Sequence, residues 1–237
     1  MKGRVSSFQS MGTLDGPGVR FVAFLQGCPL RCPYCHNPET GDPSGGEEYT
    51  AEEVAARAER CRDYFGETGG VTLSGGEPLM QAEFAFEVFS RLKDIGIHTA
   101  LDTSGVGDML SAERLIRVTD LVMCDIKFPT DRAYRAHCGA SLDRVREFLR
   151  LTERLDTALW VRHVVVPGMT DTDDSVRAVI DIASEYRNLQ RIELLPYSRL
   201  YVTKYDRMGL PYPMGETPEC GADVLQRLRR LIPDGLR

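Results

Sequence analysis

The sequence predicts an α/β protein: one domain, residues 1–237, of about six β/α units that form a partial (β/α)6 TIM-like barrel. Three observations predict this fold class. Short apolar runs alternate along the chain with amphipathic helical segments. The connections between them are short, which is typical of parallel strands covered by helices. The chain has 237 residues, 42% of them hydrophobic, which is enough to bury one large core. The same pattern also fits an open doubly wound sheet.

Each unit has a recognisable strand and helix. The apolar runs predicted to be buried strands cover residues 20–27, 70–76, 98–105, 120–127, 159–168 and 191–198. The predicted helices cover residues 50–65, 81–95, 111–119, 142–155, 174–186 and 222–231. Thr50, with Glu53 three residues later, predicts a capping box at the start of the first helix. The one long connection, residues 36–49, is rich in Gly, Pro, Asp and Ser and is predicted to be a flap over the active site.

Polar residues are concentrated where the predicted strands end. A loop with three cysteines follows the first strand, and Asp102, Asp125 and Lys127 lie at the ends of the third and fourth strands. The carboxyl ends of parallel strands meet at one edge, so we expect a single site there. Arg162, within the fifth strand, is expected to point into the barrel, where its charge requires an anionic partner.

Composition limits the classes of partner. The net charge of −6 argues against nucleic acid as a partner. No apolar run approaches the length that spans a bilayer, so no membrane partner is expected. The first residues lack the apolar region of a secretory signal, so a cytoplasmic protein is expected. In that reducing compartment the seven cysteines are not expected to form a disulfide framework.

The stretch GCPLRCPYCHN, residues 27–37, carries three of those cysteines, Cys28, Cys32 and Cys35, and allows several chemistries. The other four cysteines are scattered and are expected to be small buried residues. Cys32 and Cys35 alone fit a glutaredoxin-like dithiol, but the prolines and glycines that follow do not favour the helix such a site needs. With His36 they also fit covalent haem attachment, which usually requires export.

Two kinds of metal site remain as alternatives. A zinc site would use the three thiols and His36, although adjacent Cys35 and His36 are awkward co-ligands and no second cysteine pair is present. A 4Fe-4S cluster held by only three thiolates leaves one iron open to an outside ligand, and the Cys-x3-Cys-x2-Cys spacing favours this alternative. A non-catalytic zinc-binding interaction module therefore remains as the competing hypothesis.

This cysteine spacing, with the aromatic Tyr34 before the third cysteine, resembles the radical S-adenosylmethionine superfamily. Over nearly its whole length the chain is similar to the glycyl radical enzyme activases of that superfamily, those that act on pyruvate formate-lyase in particular. The segments that carry the resemblance are GTLDGPGVR from residue 12, YCHN from 34, SGGE from 74, LDT from 101, DLVMCDIK from 120, VVVPG from 164 and IELLPY from 192.

The resemblance implies a reaction and its partners. S-adenosylmethionine would bind the open iron, and its reductive cleavage to methionine would give a 5′-deoxyadenosyl radical. This radical would take a hydrogen atom from a glycine of the target protein. The implied target is pyruvate formate-lyase, and the implied electron donor is a flavodoxin or ferredoxin.

The resemblance also implies roles for individual residues. The cluster would be held by Cys28, Cys32 and Cys35. The residues expected to contact S-adenosylmethionine are Tyr34, Cys35, His36, Gly75, Gly76, Thr103, Asp125, Ile126, Lys127 and Ser198. A monovalent cation is expected near its carboxylate, with oxygen ligands from Asp102, Thr103, Met123 and Asp125. Asp15 and Arg162 are candidate contacts for the glycine loop of the target.

The chain departs from the family pattern at one site residue. Ser198 replaces the family's histidine after Pro-Tyr; serine can hydrogen-bond a ribose but cannot stack on an adenine. Between Cys35 and Ser74 the only cysteine is Cys61, on a predicted helix, so the ferredoxin-like insert of related activases is absent. That absence favours pyruvate formate-lyase over another glycyl radical enzyme, such as anaerobic ribonucleotide reductase, as the target.

Overall fold

The computed structural model describes all residues from Met1 to Arg237 and contains one mixed sheet of eight strands. The strands are β1 (Lys2–Gly12), β2 (Arg20–Leu25), β3 (Glu47–Thr50), β4 (Gly70–Gly75), β5 (Thr99–Thr103), β6 (Leu121–Asp125), β7 (Ala158–Val165) and β8 (Leu189–Pro196). Their spatial order is β3-β1-β2-β4-β5-β6-β7-β8. From β2 to β8 all neighbours are parallel, whereas β1 is antiparallel to both β2 and β3.

Helices follow most of the strands and cover the sheet. They are α1 (Ala51–Glu59), α2 (Arg62–Phe65), α3 (Ala82–Asp94), α4 (Met109–Ile116), α5 (Asp131–Cys138), α6 (Leu142–Arg154), α7 (Asp173–Ala183), α8 (Val202–Met208) and α9 (Ala222–Arg229). None of them combines the length and the apolar character needed to span a bilayer.

Burial of one helix face holds each helix on the sheet, and α3 shows the pattern. Phe84, Val88 and Leu92 recur every four residues and are almost completely buried, while the opposite face carries Lys93 and Glu83. Such spacing places the three side chains on one face. Burial of each stabilises the fold by about 1.5–3 kcal/mol relative to exposure.

The predicted partial barrel is confirmed, with six parallel strands that match the six predicted ones and differ from them by a few residues at their ends. The capping box is also confirmed, since the Glu53 N–H donates to Thr50 Oγ1 and the Thr50 N–H donates to Glu53 Oε2. The helix predicted over residues 50–65 is not continuous. The chain turns at residues 60–61, which lets Phe65 enter the core as part of α2.

Sequence patterns did not reveal β1, β3, α5 or α8. Strand β1 has side chains that are mostly half-buried or exposed, so it shows no apolar run, and the strand predicted to be the first is the second. Strand β3 is a charged edge strand, and charges suit an edge because they discourage pairing with other chains. It occupies the end of the predicted flap, so residues 47–50 belong to the sheet.

Candidate active site

The carboxyl ends of the parallel strands form one edge, and side chains from neighbouring strands contact each other there. Ser74 Oγ, on β4, donates to Asp102 Oδ2, on β5, at 2.6 Å. Arg162 Nη1, on β7, donates to Asp102 Oδ1 at 3.1 Å. Thr103 Oγ1 donates to Glu77 Oε1 at 2.6 Å. Side-chain hydrogen bonds therefore join β4 to β5 and β5 to β7 at this edge, and a ligand site can be built on these contacts.

The cysteine loop lies beside this network, after β2. All three cysteines are free and partly buried. The loop is anchored by its backbone, because the Gly27 N–H donates to Thr40 O and the Glu77 N–H donates to Gly27 O, both at 2.8 Å. These bonds fix the loop against the turn after β4, so the three thiols have a defined position relative to the strand ends.

Burial makes thiolates costly in this loop unless a cation compensates them. It raises the pKa of the Cys28 thiol to about 12 and also raises that of Cys35. A bound metal reverses this effect, since a coordinating thiol is deprotonated by the charge of the metal. The Lys127 charge opposes the rise in the pKa of Cys35 but does not cancel it. The loop thiols therefore suit an iron–sulfur cluster, which takes thiolate ligands and supplies the charge of its irons.

The structure does not favour the zinc alternative. No group of three or more His, Cys, Asp or Glu side chains lies close enough together to hold a single metal ion. Structural zinc needs four ligands within about 2.3 Å of one centre. His36, the fourth ligand in that alternative, stacks on Tyr201 with ring centroids 4.1 Å apart. A cluster spreads its thiolates over separate irons and needs no common centre.

The Asp125–Lys127 pair at the end of β6 places opposite charges side by side. Lys127 Nζ donates to Asp125 Oδ2 at 2.6 Å, and both side chains are more than four-fifths buried. Burial acts to raise the pKa of Asp125, but Lys127 and Arg162 together hold it below its usual value. Burial acts to lower the pKa of Lys127, but the groups around it, the Asp125 carboxylate foremost, together raise it. Both groups are therefore charged, which suits an amino-acid zwitterion.

The two glycines after β4 are required by backbone packing. A Cβ on Gly76 would lie 2.2 Å from Gly27 O, and one on Gly75 would lie 2.4 Å from Leu25 N. Gly75 also has a φ of +110°, which favours glycine. The Gly76 N–H is already used, since it donates to Leu25 O at 2.9 Å.

Arg162 has the anionic partner that its position demanded. Besides Asp102, it donates from Nη2 to Leu14 O at 3.4 Å, which connects β7 to the segment before β2. Asp15 lies in this segment; burial and the Asp102 carboxylate raise the pKa of Asp15, while Arg162 opposes the rise. The two residues predicted to meet the target are thus neighbours at the edge of the site.

The residues predicted to hold a cation have protein partners. Asp102 is paired with Arg162, Asp125 with Lys127, and Thr103 with Glu77. Met123 is paired in the sheet with Asp102 on one side and Trp160 on the other. A cation beside these residues stays a prediction.

Other predicted contact residues are spread around the site. His36 Nε2 is buried without a hydrogen-bond partner, and burial with the Lys127 charge lowers the pKa of His36 to about 4. Tyr34, within the loop, is buried, and its hydroxyl donates to Lys127 O at 3.2 Å. Ile126 is buried and its N–H donates to Arg162 O. Ser198 Oγ donates to Glu219 Oε1 at 2.8 Å, so it is oriented toward that carboxylate.

Sequence reasoning missed the residues of α8 that hold the cysteine loop. Tyr205 OH donates to Cys35 O at 3.1 Å, and Lys204 Nζ donates to His36 O at 2.9 Å and to Asn37 Oδ1 at 3.0 Å. The available signal was weak: Gly209, left-handed with φ +66°, ends a short helix of mixed residues. Of the scattered cysteines, Cys124 and Cys138 are buried as predicted, whereas the two at 61 and 220 are partly exposed.

Comparison with known proteins agrees with the fold. The model of the radical SAM superfamily matches residues 22–180. Among solved structures, a domain of pyruvate-formate lyase-activating enzyme from Bacteroides vulgatus aligns with a TM-score of 0.58 at 23% identity, over 71% of this chain and 96% of that one. Streptococcus suis SuiB bound to its precursor peptide SuiA aligns with a TM-score of 0.67 at 16% identity, over 86% of this chain and 42% of that one. The fold is that of a radical SAM enzyme.

Relatives of similar length identify the family within this superfamily. The pyruvate formate-lyase-activating enzyme of Clostridium pasteurianum is 40% identical over 98% of this chain and 98% of its own length. The pyruvate formate-lyase 1-activating enzyme of Escherichia coli K12 is 40% identical over 97% of this chain and 95% of its own. The chain belongs to the family of pyruvate formate-lyase-activating enzymes, whose superfamily uses a 4Fe-4S cluster and S-adenosylmethionine.

Proposed function

We propose that this protein activates pyruvate formate-lyase by generating a glycyl radical on it. The observation that carries the proposal is the 40% identity to activating enzymes of that target over nearly the whole chain. The structure supports the proposal with three free thiols on one loop and the buried Asp125–Lys127 ion pair. These features are the ones that a cluster and an amino-acid cosubstrate need.

In this proposal Cys28, Cys32 and Cys35 hold the cluster and leave one iron for S-adenosylmethionine. When bound, the cluster supplies the electron that cleaves the cosubstrate to methionine and a 5′-deoxyadenosyl radical. The Gly76 carbonyl and Asp125 receive the ammonium of the cosubstrate, and Lys127 meets its carboxylate. The remaining proposed contacts are Tyr34, His36, Gly75, Thr103, Ile126 and Ser198.

The edge around Arg162 is proposed to receive the target. Asp15 and Arg162 lie beside the exposed segment before β2, so a glycine loop that enters there would meet both charges. A monovalent cation near Asp102, Thr103, Met123 and Asp125 would offset the local carboxylates. We expect a flavodoxin or a ferredoxin to deliver the electron.

The test combines the anaerobically reconstituted and reduced protein with S-adenosylmethionine and pyruvate formate-lyase. We expect electron paramagnetic resonance to detect a glycyl radical on the target, with a matching amount of 5′-deoxyadenosine. Cleavage of S-adenosylmethionine without a radical on the target would refute pyruvate formate-lyase as the target and lead to trials of other glycyl radical enzymes. A reconstituted protein that cleaves no cosubstrate would refute the radical chemistry.

Cysteine variants identify the cluster ligands in the same assay. Cys28→Ala, Cys32→Ala and Cys35→Ala should each abolish cosubstrate cleavage. Cys61→Ala is the matched control, since Cys61 lies between α1 and α2, outside the loop. Equal loss in all four variants would contradict the assignment of the ligands.

A further inference from the structure

A fourth cysteine, Cys138, contacts the cysteine loop. Its sulfur lies 3.6 Å from Cys32 Sγ, and no other two of the seven cysteines share a hydrogen bond. Cys138 is completely buried at the end of α5. The Arg31 N–H donates to Cys138 O at 3.0 Å, so the backbone next to Cys32 is tied to the same residue. No role described above uses Cys138.

We propose that Cys32 and Cys138 are a reversible oxidation site, which closes to a disulfide when the cluster is lost and peroxide is present. The inference rests on the proposed function, because that function makes Cys32 a cluster ligand. Hydrogen peroxide oxidises the Cys32 thiol to a sulfenic acid and releases one water. The Cys138 thiol then attacks that sulfur, the S–S bond forms and a second water leaves. A dithiol returns two electrons and two protons and restores both thiols.

The surroundings permit the sulfur atoms to close from contact to bonding distance, about 2.05 Å. Cys32 lies in a loop, outside any helix or strand. Cys138 is the last residue of α5, and Gly139 after it is left-handed, with φ +73° and no atom within 4 Å of an added Cβ. One cysteine is therefore in a loop, and the other is next to an unhindered helix end. The hydrogen bond from Arg31 to Cys138 O keeps the two segments close together.

The disulfide and the cluster exclude each other. Cys32 in a disulfide has no thiolate to offer to iron, so the oxidised protein is inactive. The same bond prevents the irreversible oxidation of Cys32 to a sulfinic acid, which would end its use as a ligand. The disulfide would thus protect the cluster-free protein, because a thiol reductant can restore both thiols and allow the cluster to be rebuilt.

The test uses the cluster-free full chain, treated with hydrogen peroxide, alkylated and digested without reductant. Mass spectrometry should find the Cys32 and Cys138 peptides linked, and dithiothreitol should separate them. In Cys138→Ser, Cys32 should instead accumulate as sulfinic acid. Cys124→Ser is the matched control, a buried cysteine without a thiol neighbour, and should leave the linkage intact.

A second readout is the iron content after dithiothreitol and anaerobic reconstitution with iron and sulfide. Peroxide-treated wild type should regain most of its iron, and treated Cys138→Ser should lose this recovery. Linkage of Cys32 to Cys28 or Cys35, or equal recovery by wild type and Cys138→Ser, would overturn the proposal. Both readouts are independent of the target, so a linked pair in a protein that forms no glycyl radical would refute the proposed function alone.

Discussion

At the scale of single residues, two buried ion pairs lie at the carboxyl edge of the sheet. Asp102–Arg162 and Asp125–Lys127 are buried pairs, and burial of an ion pair costs several kcal/mol of desolvation that the attraction only partly offsets. A purely structural role would be served as well by apolar side chains of similar volume. Their presence at this edge agrees with a ligand that carries both charges.

Asp120 is a structural carboxylate whose contribution should depend on pH. It accepts from the Thr99 N–H at 2.9 Å and pairs with Lys93, and these bonds hold the pKa of Asp120 below its usual value although burial opposes them. A lowered pKa means that the ionised form stabilises the fold above the unfolded pKa, about 3.9, and that this stability is lost as pH falls through the folded pKa.

Asp120→Asn should therefore lower the free energy of unfolding at pH 7 by about 1 kcal/mol, a value kept small because solvent partly reaches the carboxylate. Urea denaturation of the cluster-free protein at pH 7 and at about pH 3 measures it, and the difference from wild type should shrink at the lower pH. Asp174→Asn, at an exposed position of α7, is the control. A difference that grows as pH falls would contradict the assigned direction.

At the scale of elements, α8 holds the second half of the cysteine loop, whereas α5 contacts Arg31 and Cys32. Tyr205 and Lys204 of α8 bond the carbonyls of Cys35 and His36, and the Tyr201 ring just before α8 stacks on His36. Hydrophobic periodicity does not reveal this helix because only Tyr205 of its seven residues is buried. Helices with several buried apolar residues, such as α3 and α6, were predicted, whereas α8, which is held by specific hydrogen bonds, was not.

Tyr205→Phe should loosen the loop without unfolding the protein. It removes a hydrogen bond worth about 1 kcal/mol, or roughly a five-fold change in an equilibrium constant. We expect the variant to lose iron to a chelator several times faster than wild type, measured by the absorbance of the cluster. Tyr212→Phe is matched, because the Tyr212 hydroxyl bonds that of Tyr197 and does not touch the loop. Equal rates in both variants would show that α8 does not hold the loop.

At the scale of the whole molecule, the sequence predicted the six parallel strands and the edge at which their ends meet. It did so because buried parallel strands are continuous apolar runs, and because strand ends in one sheet must share an edge. It did not predict that Asp102 would pair with Arg162, or that Ser198 would be oriented toward Glu219. Such contacts join residues distant in the chain and depend on side-chain positions that no local pattern specifies.

The open edge also indicates where a large partner would approach. Leu14 is 79% exposed, and its carbonyl accepts from Arg162. An exposed leucine beside a proposed target contact would be covered when the glycine loop enters. Its burial would contribute about 1.5–3 kcal/mol, at least ten-fold in affinity.

Leu14→Asp should therefore lower kcat/KM for activation of pyruvate formate-lyase by about ten-fold or more. Cleavage of S-adenosylmethionine without the target should keep its wild-type rate, because the side chain is directed to solvent and holds no cosubstrate group. The control is Tyr64→Asp, an exposed aromatic on α2, which precedes the amino end of β4. If both variants activate the target as well as wild type does, the partner does not cover Leu14, and the proposed entry of the glycine loop beside Arg162 is wrong.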